Sequence, residues 1–199
     1  ESLLSFWRKV EADTGVKIRY GERLASVAPG PDGFTVVTTK GSYSARAILL
    51  AIGRRGTPQK LGVPGEDLPK TTYRLIEPEQ YRDRRVLVVG GGDSAIEAAC
   101  SLADLAAVDV TLAYRSAAFT RAKQRNRELV QSAAAEGRLR LLLQSTVTAI
   151  EPEQVRLDQS GRSLLLPNDT VIVSAGGVLP TPFLHSIGVV VERKFGTAL

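Results

Sequence analysis

The clearest signal along this chain is a change of period at Arg85. From there, short unbroken apolar runs alternate with stretches in which apolar residues return every three or four positions: Val86 to Val89, Ser94 to Leu105, Val108 to Ala113, Arg121 to Ala135 and Leu139 to Leu143. Unbroken runs of this length fit strands buried on both faces, and the wider spacing fits amphipathic helices. Their alternation predicts an α/β fold, a parallel sheet wrapped by helices. Further strand-like runs at Thr146 to Ile150, Gln154 to Leu157, Ser163 to Leu166 and Thr170 to Ser174 are expected to return the chain to that sheet.

Before Arg85 the pattern differs. Ser5 to Thr14 reads as an amphipathic helix with Leu3, Phe6 and Val10 on one side, stopped by Thr14-Gly15. Strand-like runs follow at Val16 to Tyr20, Leu24 to Val27, Gly33 to Thr39 and Ser42 to Ala51, parted by the turn signals Gly30-Pro31-Asp32-Gly33 and Lys40-Gly41. They predict a meander that enters a buried strand, Ala45 to Ala51. Gly53, Gly56, Pro58, Gly62, Pro64 and Gly65 then punctuate an irregular passage of the kind that joins domains.

A chain of 199 residues with 43% apolar content can bury one or two cores. No run reaches the roughly 18 apolar residues of a membrane helix, and the start lacks the order of a signal peptide, so a cytoplasmic, membrane-free protein is expected. One cysteine, Cys100, and one histidine, His185, leave no internal disulfide, no Cys-x-x-Cys pair and too few soft ligands for a metal site. His185 reads as a surface or domain-edge residue. The net charge of +5 comes from arginines scattered among acids, a distribution that argues against nucleic acid. It leaves open a solvated surface, an anionic small molecule or an acidic protein partner.

Val86 to Val89 runs without a gap into Gly90-Gly91-Gly92-Asp93-Ser94-Ala95, the G-x-G-x-x-A form of the dinucleotide fingerprint. Strand before, helix after and a second strand at Val108 to Ala113 supply the context the motif requires. Gly90 permits the tight turn, Gly92 lets the backbone approach a pyrophosphate, and Ala95 lets helix and strand pack closely. In NAD-binding versions an acidic residue about 20 residues beyond the glycines binds the ribose hydroxyls. Here Val110 to Thr120 contains no Asp or Glu. Arg115 stands at that place, with Arg121, Lys123 and Arg125 after it, and guanidinium groups suit a 2′-phosphate; NADPH is therefore expected over NADH. Arg115 reads otherwise as an exposed strand-end residue, and Arg121 and Lys123 as a solvated helix face.

Three segments together resemble the thioredoxin-reductase-like branch of the FAD-dependent pyridine nucleotide oxidoreductases: Leu49-Leu50-Ala51-Ile52-Gly53 with Pro58, Leu61-Gly62-Val63-Pro64-Gly65-Glu66, and Val89 to Glu97. The resemblance covers nearly the whole chain. It implies a Rossmann-like NADPH-binding domain over 63–178, with 1–62 a partial FAD-type domain and hinge and 179–199 the start of a returning FAD-type segment. It also implies that Gly90, Gly91, Gly92, Asp93, Ser94 and Ala95 hold the nucleotide, that Tyr114, Arg115 and Arg121 grip the 2′-phosphate, and that Glu97 lies near the nicotinamide end; Glu97 reads equally as a helix-surface carboxylate.

In such relatives the domains swing about the passage Gly62 to Glu66. The Cys-x-x-Cys of thioredoxin reductases proper has no counterpart in Lys70 to Gln80, so the similarity is greater to ferredoxin NADP reductases and bacillithiol-disulfide-reductase-like proteins of this type. A flavin fingerprint ahead of the first helix and a Gly-Asp element after Val189 are also missing. The expected function is thus the NADPH-binding part of a flavin-dependent oxidoreductase, an excerpt inactive alone, which passes hydride to FAD held by the complete protein and on to an acceptor such as ferredoxin. A non-enzymatic NADP(H)-binding sensor or docking module and a small-thiol disulfide reductase are the alternatives. No residue here is expected to act as acid or base, and a homodimer is left open.

Overall fold

The computed structural model describes residues 3–52 and 57–192. Gly53, Gly56 and the last part of the segment 179–199 lie outside them. The chain forms two compact units, Glu1–Gly53 with Pro180–Leu199, and Arg54–Leu179.

The smaller unit opens with helix α1 (Leu3–Thr14), followed by an antiparallel meander of β1 (Leu24–Gly30), β2 (Gly33–Thr38) and β3 (Ser42–Ala45). Gly30 pairs with Gly33 across the two-residue turn Pro31-Asp32, as the turn residues predict. Two expectations fail here. Val16 to Tyr20 is not a strand, and Ser42 to Ala51 is a strand only as far as Ala45. Leu49 is 92% exposed. An apolar run becomes a strand only where a neighbour offers hydrogen-bond partners, and among the described residues none lies beside 46–52.

The larger unit is a three-layer sandwich. Its middle layer is a five-stranded parallel sheet of β4 (Thr71–Thr72), β5 (Arg85–Val89), β6 (Asp109–Tyr114), β7 (Arg140–Leu143) and β11 (Thr170–Val173). The spatial order is β4-β11-β5-β6-β7. One outer layer holds α2 (Asp93–Ala103) and α3 (Gln124–Ala135); the other is an antiparallel sheet of β8 (Ser145–Ile150), β9 (Gln154–Gln159) and β10 (Arg162–Pro167). Side chains alternate across a strand, so β5 sends Val86 and Val88 to the helix side with Ile96, Ala99, Leu102 and Val130, and Leu87 to the other side with Val147, Val155 and Leu157. Burial on both faces explains why the strand reads as an unbroken apolar run. Each fully buried Leu or Ile, such as Leu87, Ile96, Leu112 and Ile172, contributes about 1.5–3 kcal/mol relative to exposure.

This arrangement narrows the expectation that the late runs return the chain to the parallel sheet. Only Thr170–Val173 does; β8, β9 and β10 pair among themselves and cover its second face. The alternating exposure of β10, with Leu164 and Leu166 packed inward and Leu165 half exposed, is the mark of a one-sided sheet. A second correction concerns Arg121 and Lys123, which precede α3 instead of lying on it, because the helix begins only at Gln124.

The segment Leu61 to Glu66 belongs firmly to the larger unit. The buried Glu66 carboxylate accepts the Leu61 and Gly62 amides, each at 2.7 Å, and the Tyr73 hydroxyl at 2.9 Å. Burial alone would raise its affinity for a proton, but these donors outweigh burial and hold the carboxyl below the usual range. Nearby, Thr57 and Gln59 pair with Val178 and Gly176 through Val178 N–H to Thr57 O at 2.9 Å and Gln59 N–H to Gly176 O at 3.0 Å. The chain closes its described part with the short helix α4 (Thr181–Ser186), where His185 is exposed. Among the described residues no helix is long and apolar enough to cross a membrane.

At the amino ends of the parallel strands, Arg85 donates to Asp169 from Nη2 at 2.6 Å, from Nε at 2.9 Å and from its backbone amide at 2.8 Å. The hydrogen bonds from the Arg85 side chain and amide hold the Asp169 carboxyl far below its ordinary value. A carboxyl depressed on folding stabilises the fold above its unfolded pKa of about 3.9, and that contribution is lost as pH falls below it. Asp169→Ala is expected to cost about 1–3 kcal/mol at pH 7. The gap to the parent should narrow at pH 3, as read by urea denaturation at both pH values.

Candidate functional site

Strand β5 is where the strand order reverses: the chain steps from it through α2 to β6 on one side, and β11 returns on the other. The crevice outside the carboxyl ends of strands at such a switch point is the usual ligand site of open α/β sheets. Gly90, Gly91 and Gly92 lie at that end of β5, between it and α2. Gly90 continues the ladder by donating to Ala113 O at 3.0 Å, and Ser174, just past β11, donates to Val89 O at 2.8 Å. The two strand ends are therefore pressed together at the turn.

Each glycine is required for a different reason. Gly90 has φ +152, and a Cβ there would strike the Ser174 carbonyl oxygen and come within 2.9 Å of Ala95 Cβ. Gly91 is buried, and a Cβ there would lie inside the Tyr114 ring. Gly92 has no atom within 4 Å of where its Cβ would be. It is the N-cap of α2 with extended backbone, φ −97 and ψ 176. Of the three glycines, only at this third position would a side chain meet no protein atom. Helix α2 starts there with N–H groups that no preceding turn can satisfy, which together with the helix dipole favours an anion.

The first turn of α2 is tied to the segment after β6. Asp93 Oδ1 accepts the Lys123 backbone amide at 2.9 Å and the Asn126 side-chain amide at 2.7 Å. The same Asn126 nitrogen reaches Glu97 Oε1 at 3.0 Å. The Lys123 amide and then Asn126 lower the Asp93 carboxyl from its ordinary value, so it stays ionised. Tyr114 ends β6 half-buried over Gly91, its ring stacked on Phe119 at 5.2 Å between centroids and 5° between planes.

Of the residues read from sequence, Gly90, Gly91, Ala95 and Tyr114 thus form one packed turn, with Gly92 and Asp93 at the start of the helix. Ser94 and Glu97 are exposed on α2, Glu97 one turn further along. Arg115 and Arg121 are both exposed, and no ion pair of either occurs among the described residues. Sequence reasoning missed Ser174, Phe119 and Asn126. Asn126 carried a readable signal: it falls in line with Val130 and Ala133, the buried stripe of α3, where a polar residue needs partners. Cys100 is buried in α2, and burial raises its thiol above the ordinary value, which suits packing and not reactivity.

A parallel sheet with this glycine turn at its switch point is a Rossmann-type dinucleotide fold. Residues 1–197 match the pyridine nucleotide-disulphide oxidoreductase family, and the chain belongs to it. It is 30% identical over 188 residues to a ferredoxin–NADP reductase of Ignicoccus hospitalis, a match covering 90% of this chain and 60% of the relative. It is 30% identical over 165 residues to the bacilliredoxin reductase of Bacillus subtilis, covering 82% and 51%. The bacillithiol disulfide reductase of Staphylococcus aureus superposes with a TM-score of 0.85 at 28% identity, covering 96% of this chain and 59% of that one. The chain therefore spans half to three-fifths of the length of these relatives.

The three glycines should separate in a stability measurement. Gly90→Ala combines overpacking with backbone strain and is expected to cost about 2–4 kcal/mol. Gly91→Ala should cost about 1–3 kcal/mol. Gly92→Ala should change stability by less than about 1 kcal/mol, because its Cβ meets nothing. Thermal denaturation of the three variants reads the order directly.

Proposed function

We propose that this chain is the NADPH-binding portion of a flavin-dependent oxidoreductase, with 63–178 as the nucleotide domain and 1–62 and 179–199 as parts of an FAD-type domain and its connections. The observation that carries the reading is the open third glycine at the start of α2, together with two exposed arginines on the segment after β6, neither of them in an ion pair among the described residues. Amides of that turn would take the pyrophosphate, and Arg115 and Arg121 the 2′-phosphate, each charge-assisted hydrogen bond being worth about 1.5–3 kcal/mol. Asp93 is engaged within the protein, so its part is to tie the start of α2 to the segment after β6, while Glu97, one helical turn on, lies on the way to the nicotinamide. A bound nicotinamide supplies the hydride that FAD in the complete protein accepts. This chain binds, orients and selects; no proton transfer is assigned to it.

The acceptor is ferredoxin or another acidic redox protein in the first form of this proposal, in keeping with the curated relatives named as ferredoxin–NADP reductases. A small-thiol disulfide is the second, favoured by the likeness to a bacillithiol disulfide reductase at a TM-score of 0.85. Scarce cysteine and the cofactor chemistry suit a cytoplasmic setting.

In the full-length protein a visible flavin spectrum bleached by NADPH supports the enzyme, whereas colourless protein that still binds NADPH makes it a non-enzymatic module. Oxidation of NADPH that depends on an added disulfide, and not on ferredoxin, selects the second acceptor. Arg115→Ala should weaken NADPH about tenfold or more and NADH by less than about threefold. Gly92→Ala should weaken both alike. Equal losses of the two cofactors in Arg115→Ala would remove the 2′-phosphate assignment.

A further inference from the structure

The 2′-phosphate segment, 115–123, has no regular structure of its own, and a specific arginine contact needs it held still. Its fixed points are few. The Gln144 amide donates to Ser116 O at 3.2 Å, Phe119 and Ala122 are buried, and the Lys123 amide donates to Asp93. Arg121 immediately precedes the last two of these anchors, Ala122 and Lys123. The Asp93 oxygen that receives Lys123 is itself fixed by Asn126, which is 7% exposed and donates from one nitrogen to both Asp93 and Glu97. A buried amide that bridges two carboxylates a helical turn apart orders both, since leaving either without its donor would cost a charged hydrogen bond.

From this we propose that Asn126 is a positioning residue for cofactor choice: through Asp93 and the Lys123 amide it sets where Arg121 stands relative to the glycine turn. The inference rests on the NADPH reading above and adds a residue to it that touches no nucleotide. Asn126 lies in the first turn of α3 with its side chain toward α2. Loosening it frees the arginine segment while the turn that takes the pyrophosphate keeps its glycines. The loss therefore falls on the cofactor that carries the extra phosphate.

The test is a titration of the full-length protein with NADPH and with NADH, in the parent, Asn126→Leu, Arg121→Ala and the double variant. Asn126→Leu matches the side chain in size without adding charge; Asn126→Ser serves if the leucine does not fold. Weakening of NADPH by about five- to tenfold, with NADH changed less than about twofold, is expected for the Asn126 variant. In the Arg121→Ala background the same substitution should then add less than about twofold, because both changes remove one contact. Faster hydrogen exchange at the Lys123 amide without nucleotide would show that the tie has been released. Equal loss of both cofactors, or effects of Asn126→Leu and Arg121→Ala that simply multiply, would overturn the proposal. A parent protein that does not distinguish the two cofactors fails at the earlier step, the 2′-phosphate reading, and takes this one with it.

Discussion

The larger unit depends on one close approach: the carboxyl ends of β5 and β11 meet at a turn with no room for a side chain on Gly90. That contact brings two strands of opposite connection together and starts α2 at the crevice between them. Once the helix begins there, the positive end of its dipole lies at that point, a setting that favours an anion. The three-layer packing serves to hold this geometry. Helices α2 and α3 press on one face of the sheet, the β8–β10 sheet presses on the other, and the strand ends have little freedom to separate.

Polar ties complete what packing begins. Glu66 gathers the amides of Leu61 and Gly62 with the Tyr73 hydroxyl, so the residues expected to form a hinge are bonded into the larger unit. At the opposite end of the strands, Arg85 and Asp169 join the starts of β5 and β11. The same two strands are thus fastened below by an ion pair and above by a glycine contact. Asn126 performs the comparable service between α2 and the segment that leads into α3.

Much of this was legible in the sequence because it is local. The run Val86 to Val89 followed by three glycines announces a buried strand and a tight turn, and the 3–4 spacing of Ile96, Ala99 and Cys100 announces the helix after it. The fold class followed from the alternation of such pieces. What could not be read depends on partners distant in the chain. Ala45 to Ala51 has the composition of a strand, yet Leu49 is exposed, since no neighbouring ladder is present among the described residues. The runs from Thr146 to Leu166 have strand patterning, but whether a strand joins one sheet or forms another is decided by pairing. Arg121 reads as helical because helical spacing extends that far; the structure starts α3 later, at a point where Asp93, thirty residues earlier, takes up the Lys123 amide.

The middle glycine of the turn has an implication for reading related sequences. Within the motif its position is written as any residue, but here a methyl group would share space with the ring of Tyr114. Its freedom is therefore conditional on an aromatic more than twenty places away. Chains of this kind that carry alanine or serine at position 91 should have a slimmer side chain at 114, and the two sites should vary as a pair even though neither consensus mentions the other.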